Sequence, residues 1–233
     1  MLQKQTLFEG LRALPGDESL FRTLGALLDS QADWPELRRL ALEQLPHLPR
    51  GSRLEAQGAY LGGKACLELG DLRQALSLIT RALRLQDDFA YSHHIHGRVL
   101  ARMGRRAEAI RAQERCAALA PGFPWCWFEI GQLQLESDQM AAGRQALQRA
   151  LQLAEVQDSG ASSLGLFRRA LDGVEDRARL EERRAAARHL WPDRPELAPQ
   201  ERLRVIDELA LSVEQFSRFL GRIAPEGEEH DDG

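Results

Sequence analysis

Three glycines stand 34 residues apart, at Gly63, Gly97 and Gly131, and Gly165 continues the series. Small residues keep the same register: Ala75, Ala109 and Gly143, then Ala82, Cys116 and Ala150. Gly70 and Gly104 follow the first glycine of their units by seven residues, and Pro121 closes one unit. A fixed period of this length means one supersecondary unit, repeated and stacked. Each unit reads as two helices. GAYLGGKACLELG and ALSLITRALRL both carry apolar residues three and four apart, and the polar stretch GDLRQ between them opens on a helix-ending glycine. Two helices of this size cannot bury their apolar faces alone, so neighbouring units must do it.

These features resemble the tetratricopeptide repeat. The residues that carry the resemblance are the recurrent glycine of the first helix, the small residues of the second, Trp127 with Ile130-Gly131, and Ala-Leu-Ala-Pro at 118–121. Units are expected at 56–89, 90–123 and 124–157. Weaker ones fit 18–51, where Leu24-Gly25 holds the glycine slot, and 158–191, where Leu164-Gly165 does. Residues 2–13 read as a leading half-unit and 52–55 as an insertion, so that 1–55 forms a degenerate N-terminal region. The resemblance implies an all-α, right-handed α-solenoid of helix-turn-helix repeats.

The linker WPDRPELAP opens region 192–225, and a helix of another kind follows it. There Ile206, Leu209, Val213, Phe216, Leu220 and Ile223 step by three and four. This helix is expected to cap the array, with a homodimer through 203–223 as the runner-up. The acidic end, 226–233, is expected to be a solvated, disordered tail.

The net charge is −4, and setting aside the tail's Glu226, Glu228, Glu229, Asp231 and Asp232 leaves +1. A folded part so close to neutral gives no bulk attraction for nucleic acid. No run of 18 apolar residues occurs, so no membrane span is expected. Three scattered cysteines, Cys66, Cys116 and Cys126, do not make a disulfide framework, and no CxxC is present. The reading is a soluble, cytoplasmic chain with inert buried thiols.

Two stretches imitate chemistry. GAYLGGKA at 58–65 fits the start of a phosphate loop, but Ala65 stands where a Ser or Thr must bind magnesium. The stretch AYSHHIHG places three histidines within four positions. His93 and His96 share a packing face and His94 points away from it, so the three do not converge on one ion. Cys126 or Cys66 could approach the first two, but no spacing rule predicts it. Neither metal nor cofactor is expected, and no nucleophile motif supports catalysis.

In the family, first helices line a concave groove. The stripes opposite the packing slots are Gln57, Tyr60, Lys64 and Glu68; then Tyr91, His94, Arg98 and Arg102; then Trp125, Phe128, Gln132 and Glu136. Aromatics beside cations have the composition of a binding hot spot. The expected contacts are therefore Tyr60, Lys64, Tyr91, His94, Arg98, Arg102, Trp125, Phe128 and Gln132, with the arginines reading acidic groups of a partner peptide or helix. The family's carboxylate clamp for chaperone tails is not reproduced, since Tyr60, Lys64, Ile95, Trp125 and Glu129 occupy its places. The expected function is a non-enzymatic protein-interaction scaffold. The alternatives are an accessory domain beside a transferase or secretion and envelope-assembly machinery, and single-stranded RNA binding.

Overall fold

The structure is a computed structural model that describes residues 2–157 and 160–190, with side chains at 4–157 and 160–182. The described residues form helices and no strand: α1 (Leu2–Ala13), α2 (Glu18–Ser30), α3 (Trp34–Gln44), α4 (Arg53–Glu68), α5 (Leu72–Leu85), α6 (Ala90–Arg102), α7 (Arg106–Leu119), α8 (Pro124–Leu135), α9 (Met140–Val156) and α10 (Ala161–Leu190). The chain divides into two compact units, Met1–Arg168 and Arg169–Gly233. The described part of the second is the remainder of α10.

The first unit is an all-α solenoid. α2 packs on α3, α4 on α5, α6 on α7 and α8 on α9, and each second helix packs on the next first helix. First helices also touch one another, α2 on α4, α4 on α6 and α6 on α8, which gives the stack an inner layer. The recurrent glycines explain how closely each pair approaches. A Cβ on Gly63 would lie 2.5 Å from Ile79 Cγ1, one on Gly97 2.6 Å from Gln113 Nε2, and one on Gly131 2.8 Å from Leu147 Cγ. Any larger side chain would force the backbones apart. Ala75, Ala82, Ala109, Cys116 and Ala150 are buried where the second helices meet their neighbours.

The turns within units repeat as well. Gly70 and Gly104 sit at φ 84° and 76°, and the next residue's N–H reaches back to a helix carbonyl: Asp71 to Cys66 and Arg105 to Leu100, both at 2.9 Å. The same turn occurs at Ala32, φ 53°, and at Asp138, φ 57°, where no glycine announces it. Asp17, Asp33, Ser52 and Asp71 cap the helices that follow them by accepting a backbone N–H. Residues 52–55, expected as an insertion, are the cap and first turn of α4.

Residues 158–191 were expected to form a degenerate helix-turn-helix unit. Instead α10 runs unbroken from Ala161 to Leu190. Its sequence holds no glycine–polar turn like GDLRQ, and its alanines and charged residues favour continuous helix. The linker and capping helix expected within 192–225, the seam at 203–223 and the tail 226–233 lie outside the described residues.

Candidate partner-binding groove

The inner layer carries a run of aromatic rings that begins at the residues preceding first helices. Phe89 and Phe123, 34 apart, occupy the N-cap positions of α6 and α8. The Phe89 ring stands edge-on to Tyr60 at 5.2 Å and lies 5.5 Å from Tyr91. Phe123 meets Tyr91 at 5.0 Å and His94 at 5.3 Å. Offset and edge-to-face pairs of this kind add to the stabilisation that burial gives. The 34-residue spacing of Phe89 and Phe123 is the sequence signal of this pair.

Above these rings opens a cavity of about 540 Å³, lined by Asp29 of α2, Tyr60 and Lys64 of α4, Tyr91, His94, Ile95 and Arg98 of α6, and Phe123, Trp125 and Glu129 at α8. Of the nine residues expected at the groove, Tyr60, Lys64, Tyr91, His94, Arg98 and Trp125 line this cavity. Tyr91 is the open aromatic among them, at 45% exposure.

Phe128, Gln132 and Arg102 do not line the cavity. Phe128 is buried at 4% exposure, with its ring 4.8 Å from Phe167. Trp125 packs edge-on against the same Phe167 at 4.9 Å while keeping part of its surface on the cavity. Phe128 is therefore a core residue, because Phe167 covers the face of α8 where a further first helix was expected. Gln132 is exposed but does not line the cavity. Arg102 donates to the Leu67 carbonyl at 2.7 Å and so satisfies the end of α4.

The charges are also committed. Lys64 pairs with Asp29 at 2.6 Å and lies 5.6 Å from the Trp34 ring. Arg98 bridges Glu68 at 2.9 Å and Glu129 at 3.6 Å, one from each neighbouring unit. Burial raises the Glu129 carboxyl above its ordinary value, against the pull of Arg98 and Arg102. The groove is thus an aromatic surface with internally balanced charge. Arg98 and Arg102, expected to read a partner's acidic groups, are engaged by residues of adjacent repeats, which a single stripe cannot display.

The histidines separate as their registers imply. His93 Nε2 donates to the Asp87 carbonyl at 2.8 Å, and burial lowers the basicity of His96. His94, expected as an accessible contact, is buried and hydrogen-bonds through Nδ1 to Gln113 Oε1 at 3.1 Å. Burial pushes its pKa down to about 4, so the ring is neutral at physiological pH. The cysteines do not all stay unpaired. Cys116 near the end of α7 and Cys126 at the start of α8 are disulfide-bonded, with Cα atoms 6.3 Å apart. The tight passage from α7 to α8 brings together two positions that sequence spacing does not connect. Cys66 is free and buried, with its thiol pushed up to about 11 by that burial.

The Tetratricopeptide repeat family model matches residues 90–123, which is α6 with α7 and the turn that follows. No curated protein matches the chain. Among solved structures it is similar to MamA, at 20% identity and a TM-score of 0.57, covering 67% of this chain and 90% of that one. It is also similar to YrrB, described as a TPR protein with an unusual peptide-binding site, at 16% identity and a TM-score of 0.52 over 64% of this chain and 75% of that one. The third is SycD, the type III secretion translocator chaperone of Yersinia enterocolitica, at 15% identity and a TM-score of 0.52 over 55% of this chain and 88% of that one. At these identities the likeness is one of fold.

Proposed function

We propose that this chain, a tetratricopeptide-repeat protein, is a non-catalytic adaptor that holds a peptide or helix of another protein against its inner layer. The observation that carries this reading is the cavity of about 540 Å³, which draws its lining from four successive first-helix positions. A partner's apolar side chain would seat between Tyr91, Phe123 and Trp125, where Tyr91 and Phe123 are fixed on each other and Trp125 on Phe128 and Phe167. Rigid aromatic anchors lose little entropy on binding. The balanced ion pairs Lys64–Asp29 and Arg98–Glu129 would set the partner's direction rather than its net charge. The peptide-binding site described for YrrB supports the same use of the fold. The absence of unpaired cations in the lining disfavours RNA. The reading sets the adaptor in the cytoplasm.

Tyr91→Ala tests it, because Tyr91 is open and its loss leaves the core intact. Capture of the partner should weaken at least tenfold, in line with a hot-spot cost of about 2 kcal/mol. Unchanged capture by Tyr91→Ala and by Trp125→Ala, each shown to be folded by circular dichroism, would sink the groove assignment.

A further inference from the structure

The unit α6–α7 and the start of α8 hold four side chains that depart from the repeat, and the four lie close together. The places held by His94, Cys116 and Cys126 are held one period earlier by Tyr60, Ala82 and Ser92. The place of Gln113 is held by Ile79 before it and Leu147 after it, both fully buried apolar residues. Packing therefore requires none of these four side chains. The ligand atoms of His94, Cys116 and Cys126 lie within 4.8 Å of one another, and all three residues are buried.

Gln113 settles the state of the imidazole. Its Nε2 donates to the His94 carbonyl at 3.1 Å, and a carbonyl can only accept. Its Oε1 must then face a donor, so His94 Nδ1 carries the hydrogen. In a neutral ring this leaves the lone pair on Nε2, free to bind a metal. A ligating histidine is held by an acceptor on its other ring N–H, a part that the Gln113 carbonyl oxygen can fill. Gln113 is itself wholly buried and spends both amide atoms on residue 94. The surroundings are apolar: Ala90, Ala117, Leu119, Phe123 and Trp127 pack about the cysteines.

We infer that His94, Cys116 and Cys126 form a three-ligand site for a zinc ion when the Cys116–Cys126 bond is reduced. Reduction breaks the S–S bond with two electrons from a dithiol or a phosphine; the two protons come from the dithiol itself, or from the water whose oxygen the phosphine takes up. Binding then releases the two thiol protons to solvent and forms two S–Zn bonds and one N–Zn bond. At a Zn–S length of about 2.3 Å and tetrahedral angles the sulfurs stand roughly 3.8 Å apart, which is within reach of the two backbones. Two thiolates neutralise Zn²⁺. The same ligands on a monovalent ion would leave a net charge in an apolar pocket, which is costly. The fourth position falls to water. The metal reading of the sequence turns on His93 and His96, whereas the cysteines that would complete a site lie beside His94. The inference does not depend on what the groove binds.

The test uses the full chain without a polyhistidine tag. It is reduced with a phosphine, its free thiols are counted, and Zn²⁺ is added and the excess removed before elemental analysis. The reduced protein should retain one zinc per chain and the oxidised protein none. Co²⁺ in place of zinc should show thiolate-to-cobalt charge-transfer absorption. His94→Ala should weaken binding at least tenfold, and Gln113→Leu, which restores the apolar side chain of the next repeat, about 10- to 100-fold. Circular dichroism checks that both variants fold. Three results would each overturn the inference: no zinc on protein with three counted thiols, zinc retained by the Cys116→Ser/Cys126→Ser double variant, or a disulfide that cannot be reduced while the protein stays folded.

Discussion

The repeats α4–α5 and α6–α7 have the same backbone and opposite interiors. Both approach through a glycine, Gly63 or Gly97, and both turn through a glycine at positive φ. In the first, the slot facing the glycine holds Ile79 and the inner layer holds Tyr60. In the second, those places hold Gln113 and His94, joined by two hydrogen bonds. The geometry of a unit is set by what is small, namely glycines and alanines that allow close approach. What fills the space between them is free to be apolar or polar, provided that every buried polar atom finds a partner.

Swapping the fillers should break this comparison most severely in one direction. Ile79→Gln removes a buried aliphatic side chain and leaves an amide with no histidine to meet. It should cost about 3 kcal/mol in denaturant unfolding. The reverse change, Gln113→Ile, strands the Nδ1–H of His94 but gains apolar burial, so about 1–2 kcal/mol is expected. Adding His94→Tyr to it rebuilds the preceding repeat and should recover most of that loss, a coupling that a double-mutant cycle would measure. No recovery would mean that the two interiors are not interchangeable.

The turns provide the next effect. Gly104→Ala forces a side chain into the left-handed region at a cost of about 1 kcal/mol, whereas Ala32→Gly should relieve a similar amount. Equal signs for the two would show that the turns are not equivalent.

The smallest effect concerns Glu129. Burial keeps its carboxyl above the ordinary 4.5, so the folded state holds a proton that the unfolded state releases. Stability is therefore lost as pH rises from the unfolded value through the folded one. Glu129→Gln removes that loss: it should match the parent below pH 4.5 and exceed it by less than about 1 kcal/mol at neutral pH, with Arg98 still held by Glu68. A variant less stable at neutral pH would show that the Arg98 pair outweighs the burial.

What the sequence displayed was what repeats. Period and glycine register located the helix pairs, and equal registers aligned Tyr60 with His94, Lys64 with Arg98 and Tyr91 with Trp125 on one cavity. What it hid was what joins one unit to another. Arg98 is engaged by residues of the units on either side, and Cys116 and Cys126 are bonded across a junction. Phe128 is buried for the same reason, since its cover, Phe167, comes from α10, which keeps the glycine slot at Gly165 but runs on without the turn of a repeat. The turns at Ala32 and Asp138 escaped notice because they use residues that seldom adopt positive φ.

Phe167 also limits how such a gene can lengthen. A stack of equal units is open to growth by internal duplication, because every junction offers the same surfaces. A copy inserted between Leu85 and Ala90 would meet the glycine and alanine slots it needs on both sides. A copy inserted after Val156 would find Phe167 already seated on Phe128 and Trp125. It would have to displace that ring and then offer α10 a replacement for both aromatics. Growth at that end therefore needs a copy that carries its own pair of aromatics for Phe167, a demand that growth in the middle of the array does not make.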